Sequence, residues 1–271
     1  MYDISNENIS MRIATWNINS IRIRIDAVAE FVLAHMPDIL CFQETKVVDE
    51  HFPIQAILDL GFSHYVIKGE KSYNGVAIFS KYPLRNKQSL SLVGKKDARH
   101  LSVIVNDEIE LHNFYVPAGG DIPDIALNDK FDHKIKFIDE VSNWFLANRS
   151  KNDKIILVGD LNVAPLEHDV WSHKQLLNIV SHTPIEIEKL LNLQSSLGFV
   201  DVVRKFVPES EKLYSWWSYR NQDWKKSNRG RRLDHIWTTD PLAHLVRQQV
   251  IYKDARNFKL PSDHVPVMIE I

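Results

Sequence analysis

The sequence holds one cysteine, Cys41, so no intramolecular disulfide and no cysteine-cluster zinc or iron–sulfur site can form. A lone thiol inside the apolar run DILCFQE reads as a small core side chain. Long hydrophobic runs are missing too. No stretch approaches the roughly 20 apolar residues that span a bilayer, and the first ten residues, MYDISNENIS, are polar without an apolar signal core. The expected compartment is the cytosol, with no membrane partner. Neither sign of charge is in excess: 33 basic and 35 acidic residues leave a net charge of −2. The whole molecule is therefore no magnet for polyanions, and such a partner must be drawn by a local patch. No Pro-, Gly- or Ser-rich linker, low-complexity tract or repeat divides the 271 residues. The expected organisation is a flexible tail over residues 1–10 and one domain over 11–271.

Short β-branched runs recur along the chain, at 12–17, 38–43, 75–80, 101–105, 110–116, 155–160, 233–238 and 265–271, most of them flanked by Gly, Pro, Asn or Asp. Two segments carry helical signals. In residues 131–145 the apolar positions Phe131, Ile135, Ile138, Val141 and Phe145 recur three or four apart, one buried stripe. Thr183-Pro184-Ile185-Glu186 is a capping box with proline in the first helical position, and Gly198 supplies a stop. The stretch 62–116 has strands without a helix signal, so the sheets should be mixed or antiparallel, with helices covering stacked sheets in an α/β sandwich.

Polar residues gather where those strands end: Trp16-Asn17-Ile18-Asn19, Gln43-Glu44-Thr45-Lys46, Tyr115-Val116-Pro117, Gly159-Asp160-Leu161-Asn162, Arg232-Leu233-Asp234-His235 and Ser262-Asp263-His264. Singly each has a bland reading as turn former, cap or satisfied core histidine. Six such clusters in one chain describe a site. Asn17, Glu44, Asp160, Asn162, Asp234 and Asp263 are oxygen donors, the set a hard cation such as Mg²⁺ or Mn²⁺ takes, and no thiolate favours zinc. His264 can stay protonated against an anionic phosphate oxygen provided Asp234 lies against its other nitrogen. Asp160 can accept a proton from an attacking water that the Asn162 amide orients. The parts describe metal-assisted hydrolysis of a phosphate ester.

In order, W-N-x-N, Q-E-T-K, N-G-V-A, Y-V-P, G-D-x-N-x-A-P, R-G-x-R-x-D and S-D-H-x-P, spread over residues 16 to 266, closely resemble the exonuclease III type of abasic-site endonuclease within the endonuclease/exonuclease/phosphatase superfamily. The resemblance implies a four-layered α/β sandwich, two mixed sheets packed face to face and flanked by helices, with the site at one end. It implies Mg²⁺-dependent cleavage of duplex DNA by a monomer: 3′-to-5′ digestion, incision at abasic sites and removal of blocked 3′ ends. By position, Glu44 matches the principal metal ligand with Asn17 beside it. Asp160 and Asn162 match the pair that activates water and stabilises the transition state, with either one metal or two. Asp234 and His264 match the charge-paired phosphate binder. Asp263 matches an auxiliary metal or hydrogen-bonding residue, and Tyr115 the phenol on the reacting phosphate. The candidate metal set is thus Asn17, Glu44, Asp160, Asn162, Asp263 and His264. Either Asp160 or an ionised Tyr115 serves as base in such enzymes.

Relatives of this superfamily also cleave small phosphomonoesters and phospholipids, so the metal site does not choose the substrate. The segment 214–232, YSWWSYRNQDWKKSNRGRR, does. From Arg220 to Arg232 it carries Arg220, Lys225, Lys226, Arg229, Arg231 and Arg232 against one acid, Asp223. Cations interleaved with aromatics suit a duplex groove. Of the adjacent tryptophans, which face opposite ways on a strand, Trp216 is expected in the pocket, and Arg99 in a second phosphate-contacting loop. Two positions depart from the family pattern: Ala118-Gly119-Gly120 stands where many members place Gln or Asn, and Arg231 where some place tryptophan. A phosphomonoesterase or phospholipid phosphodiesterase on the same scaffold is the alternative reading.

Overall fold

A computed structural model describes residues 10–221 and 223–271; the expected tail falls almost wholly on residues 1–9, outside the described residues. Among those described, the strands are β1 (Arg12–Asn17), β2 (Ile39–Gln43), β3 (His64–Lys68), β4 (Val76–Ser80), β5 (Leu84–Gln88), β6 (His100–Val105), β7 (Ile109–Tyr115), β8 (Ile155–Asp160), β9 (Val200–Asp201), β10 (Trp216–Trp217), β11 (Gly230–Arg231), β12 (Asp234–Thr238), β13 (Gln248–Ile251) and β14 (Val267–Glu270). The helices are α1 (Ile25–His35), α2 (Ile54–Leu58), α3 (Asp129–Asn148), α4 (His173–Leu176), α5 (Pro184–Ser196), α6 (Trp224–Ser227) and α7 (Asp240–Ala243).

Two six-stranded sheets run in the orders β13-β14-β1-β2-β4-β3 and β5-β6-β7-β8-β12-β9. In each, one neighbouring pair is parallel, β1 with β2 and β7 with β8, and the others are antiparallel. A parallel pair needs a crossover, and α1 and α3 supply the two. Both crossovers bring chain ends of the same sense to one edge of the sandwich, the edge where open α/β sheets bind ligands.

Strand alternation builds the layers. Ile13, Ile39, Cys41, Val76 and Ile78 of one sheet face Leu101, Val103, Leu111, Ile156, Val158 and Ile236 of the other, and all are buried. The opposite faces are covered in turn. Trp16, Leu40, Phe42 and Phe79 pack with Val28 and Phe31 of α1, while Phe114, Ile155 and Leu157 pack with Phe137, Ile138, Val141 and Phe145 of α3 and with Leu190 and Leu193 of α5. The result is the expected four-layered α/β sandwich. Helix α5 begins at Thr183, whose side chain accepts from Glu186 N while Glu186 reaches back to Thr183 N, as the capping box predicts.

Helix α1 is absent from the sequence reading. Its N-cap, Arg24, makes no side-chain cap bond, and its C-cap is Met36 in the left-handed region rather than a glycine. Neither end carries the composition by which helices announce themselves. The strands β3, β5, β9 and β13 were not anticipated either, and all four are sheet edges.

Candidate active site

The strand registers place polar side chains in rows. Within the second sheet Asp160 is paired with Tyr115 of β7 on one side and with Asp234 of β12 on the other. In the first sheet Asn17 pairs with Gln43, one residue before Glu44. The rows meet across the sandwich: the buried Asn17 Nδ2 donates to Asp160 Oδ2 at 2.8 Å and to Glu44 Oε1 at 2.9 Å. Gly159 makes this approach possible. Its φ is +141°, and a Cβ there would lie 1.9 Å from the Phe114 carbonyl oxygen, so any side chain would push β8 away from β7 one residue before Asp160. Glu44 (φ 50°) and Asn162 (φ 53°) hold left-handed backbone conformations that non-glycine residues rarely adopt. Local backbone strain therefore sits at the site.

His264 lies between two carboxylates, Nδ1 at 2.8 Å from Asp234 Oδ2 and Nε2 at 3.6 Å from Asp160 Oδ2. The condition set by the sequence, Asp234 against one imidazole nitrogen, is met. Ser215 Oγ donates to the same Asp234 oxygen at 2.6 Å and fixes its position. Burial disfavours the imidazolium, but the Asp234 and Asp160 carboxylates outweigh it and raise the pKa of His264; the ring stays protonated at neutral pH. Burial, with Asp234 and Glu44 nearby, raises the pKa of Asp160 against the opposing pull of His264 and Asn17. At Glu44 the balance goes the other way: burial raises its pKa, yet Lys46, the Asn17 amide and His264 hold it below the usual carboxylate range. Tyr115 has its phenol pushed well up by burial and by the Glu44 and Asp160 charges, with Arg99 opposing. It remains a neutral donor.

Ligand atoms of Glu44, Asp160 and His264 lie within 4.8 Å of one another; with the His264 ring protonated against Asp234, the two carboxylates are the members of the trio with lone pairs for an ion. Oxygen-rich and free of thiolate, the set fits a hard divalent cation. Asn17 touches both carboxylates. Asn162 is tied to Asp160 through its backbone N–H and side-chain amide, 2.9 and 3.2 Å, and to Val116 O at 2.9 Å. Asp263 stands apart from the trio: Asn19 Nδ2 and Trp216 Nε1 each donate to it at 2.9 Å, so it anchors the cleft wall.

Glu44, Tyr115, Asp160, Asn162, Asp263 and His264 open into one cleft of about 620 Å³, walled by Trp171, Leu176, Val180, Trp216 and Leu233, with Arg220, Arg229 and Arg231 on its rim and wall. The tryptophan pair divides as expected, Trp217 wholly buried and Trp216 in the cleft. The cations divide less evenly. Arg220 and Arg229 are exposed at the cleft, whereas Lys225 and Lys226 are exposed on α6 and do not line it. Arg232, counted with the basic patch in the sequence, is buried and ion-paired with Asp169 and Asp201; it belongs to the core. Arg99 is bound to Asp97 and, through Nη1, to Tyr115 O, with its guanidinium 4.8 Å from the Tyr115 ring centre. It braces Tyr115.

Sequence reasoning assigned no role to Asn19, Lys46 or Ser215. Lys46 Nζ lies 2.7 Å from Glu44 Oε2 and 2.6 Å from Asn19 Oδ1, so one ammonium links the Glu44 cluster to the Asn19–Asp263 pair. Asn19 and Lys46 did stand in the W-N-x-N and Q-E-T-K motifs; only Ser215 lacked a signal.

The profile of the endonuclease/exonuclease/phosphatase family matches residues 14–264. Exodeoxyribonuclease III of Haemophilus influenzae is 27% identical over 274 residues, covering 96% of this chain and 99% of the relative. An exodeoxyribonuclease of Bacillus subtilis is 28% identical at the same coverage. An AP endonuclease structure from Archaeoglobus fulgidus superposes with a TM-score of 0.89 at 32% identity, covering 96% of this chain and 98% of that one. A 3′ phosphatase from Neisseria, bound to a product DNA hairpin, superposes with a TM-score of 0.87 at 27% identity, covering 96% and 99%. With the family profile matched over residues 14–264 and the fold matched over nearly the whole length, this chain belongs to the endonuclease/exonuclease/phosphatase family.

Proposed function

We propose that the chain is a metal-dependent DNA repair nuclease that hydrolyses phosphodiesters of duplex DNA, digesting from 3′ ends, incising at abasic sites and clearing blocked 3′ ends. The observation that carries this reading is the Asp234–His264–Asp160 row facing Asn17 and Glu44 at the floor of a cleft walled by Trp171 and Trp216 and rimmed by Arg220 and Arg229. Cation and flat apolar surface alternate there as a nucleic acid requires. The names of the exodeoxyribonuclease and AP endonuclease relatives support it.

Glu44 and Asp160, with Asn17 donating to both, would hold Mg²⁺, Mn²⁺ being an acceptable substitute. Such an ion supplies charge neutralisation at the phosphate. The residues do the rest. His264, kept cationic by Asp234, donates to a non-bridging phosphate oxygen whose charge grows in the transition state. Asp160, with its raised pKa, accepts the proton of the attacking water, and Asn162 orients that water. The Tyr115 phenol, which lines the cleft beside Glu44 and Asp160, donates to the phosphate. Arg220 and Arg229 bind backbone phosphates, with Lys225 and Lys226 reaching a longer duplex. The reading includes a monomer in the cytoplasm; among the described residues no helix is long and apolar enough to cross a membrane.

The test is cleavage of three duplexes, one with an abasic site, one with a recessed 3′ end and one with a 3′-phosphate, with Mg²⁺ and with EDTA. Metal-dependent cleavage is expected. Failure on all three, with turnover of a small phosphomonoester or a phospholipid instead, would transfer the site to the alternative reading.

A further inference from the structure

Arg231 stands across from Trp216 in the β10–β11 register. Trp216 in turn bridges to His264 through its backbone and to Asp263 through its indole. Arg231 is thus one side chain removed from the catalytic row. Nearby buried cations are charge-paired: Arg232 with Asp169 and Asp201, Arg204 with Asp169, Lys134 with Glu186. Arg231, like the buried Arg256, is not. Among the described residues no carboxylate lies within the 4.0 Å of an ion pair. Its Nη1 donates to Val180 O at 2.9 Å and Ser181 Oγ at 2.6 Å, its Nε is buried without a partner, and its guanidinium lies 5.4 Å from the Trp216 ring centre. Leaving a guanidinium half-buried in an apolar wall is costly unless an anion meets it.

Beside Arg231 the cleft is walled by Trp171, Leu176, Trp216 and Leu233. We propose that Arg231 forms a subsite for an anionic oxygen carried by the group beyond the scissile phosphate, so that it selects which 3′ ends are cleared. This rests on the nuclease reading above. Clearing an end to a free 3′ hydroxyl requires the P–O3′ bond to break: the water oxygen bonds to phosphorus, the water proton passes to Asp160, the 3′ oxygen leaves and is protonated, and the group beyond departs still esterified to the phosphate. An oxidised end carries a carboxylate on that group, as in a 3′-phosphoglycolate. An internal abasic residue carries the next phosphodiester. Either anion presents oxygens to the planar guanidinium fork. A terminal nucleoside and a bare 3′-phosphate carry no anion there.

The experiment compares kcat/KM on these four substrates for the wild-type chain and for Arg231→Gln. The ratio of anion-bearing to anion-free substrates should fall about tenfold or more in the variant, as loss of a charge-assisted hydrogen bond implies. A fall confined to the phosphoglycolate end assigns the subsite to the end carboxylate, and one confined to the internal abasic duplex assigns it to the downstream phosphate. Unchanged ratios, even with all four rates lowered together, would overturn the proposal. Inhibition of the wild-type chain keeps the question open to test should the variant fold poorly: free 2-phosphoglycolate should inhibit about tenfold more tightly than inorganic phosphate, and equal inhibition would count against the subsite. No cleavage of any substrate by the wild-type chain would instead remove the nuclease reading itself.

Discussion

At the scale of single residues, the site is a set of buried charges that hold one another in place. His264 owes its protonation to Asp234, and Asp234 owes its position to Ser215. Replacing His264 with Asn should lower turnover on the order of 100-fold, as losing one preorganised charge-stabilising donor does. Asp234→Asn should be impaired as well, and the double variant should be far less than additive because the pair acts as a unit. Single-turnover rates of the three proteins check this; additive losses would mean separate roles. The residues that touch each other in the row were legible in the sequence because each lies at the end of a β-branched run, Asp160 closing β8, Asp234 opening β12 and His264 just before β14, where a polar side chain has few structural reasons to stand. Ser215 was not legible. Its role depends on a hydrogen bond to a residue 19 positions away, and a serine beside two tryptophans has no periodicity or motif to mark it.

Among the elements, legibility followed burial. Strands β1, β2, β4, β6, β7, β8, β12 and β14 lie inside the sheets and were visible as apolar runs, β8 with all six residues buried. The edges β3, β5, β9 and β13 have one paired side and mixed exposure, β5 being exposed over its last four residues, so they lack the apolar signal. The basic segment between β10 and β11 was visible as composition, but composition does not say which charges face out. That division can be measured. On duplex DNA the logarithmic salt slope should flatten by about 0.9 for each phosphate that the protein ceases to neutralise. Arg220→Ala and Arg229→Ala, at the cleft, should each show this. Lys225→Ala and Lys226→Ala should show it only on duplexes long enough to reach α6. Arg232→Ala should behave differently, leaving the salt slope intact but lowering stability by about 3–5 kcal/mol, because Asp201 and Asp169 both lose a buried cation, Asp169 keeping Arg204 alone. Chemical denaturation and salt-dependent binding on the same protein separate the two effects. A flattened slope with unchanged stability would put Arg232 back on the surface.

Across the whole molecule, buried titratable groups set a pH window. Burial lowers the pKa of His235, to about 4, and that of His100 well below 6.5, so the fold prefers both rings neutral. The unfolded chain protonates them below about 6.5. The stability they contribute is full above that pH and lost as pH falls toward the folded values, on the order of 3 kcal/mol for His235 alone. Glu110, held to about 2 by His112 and Arg149 against its burial, adds a further loss between about 4.5 and 2. His264 has the opposite sign: its raised pKa, about 10, gives stability that is full below about 6.5 and lost as pH rises toward 10. Urea denaturation across pH should give a maximum near neutrality with a progressive fall below pH 6.5, and a flat profile down to pH 4 would contradict the burial of neutral histidines. The central claim, that one acidic cluster at the end of the sandwich binds the metal that cleavage needs, is tested most directly by single-turnover cleavage of an abasic duplex against Mg²⁺ concentration for the wild-type chain and Glu44→Gln. The wild-type rate should rise with Mg²⁺ and saturate, while the variant, with melting behaviour close to wild type, should stay on the order of 100-fold lower and respond only at much higher Mg²⁺. Superimposable curves for the two proteins would place the metal, and the chemistry, elsewhere.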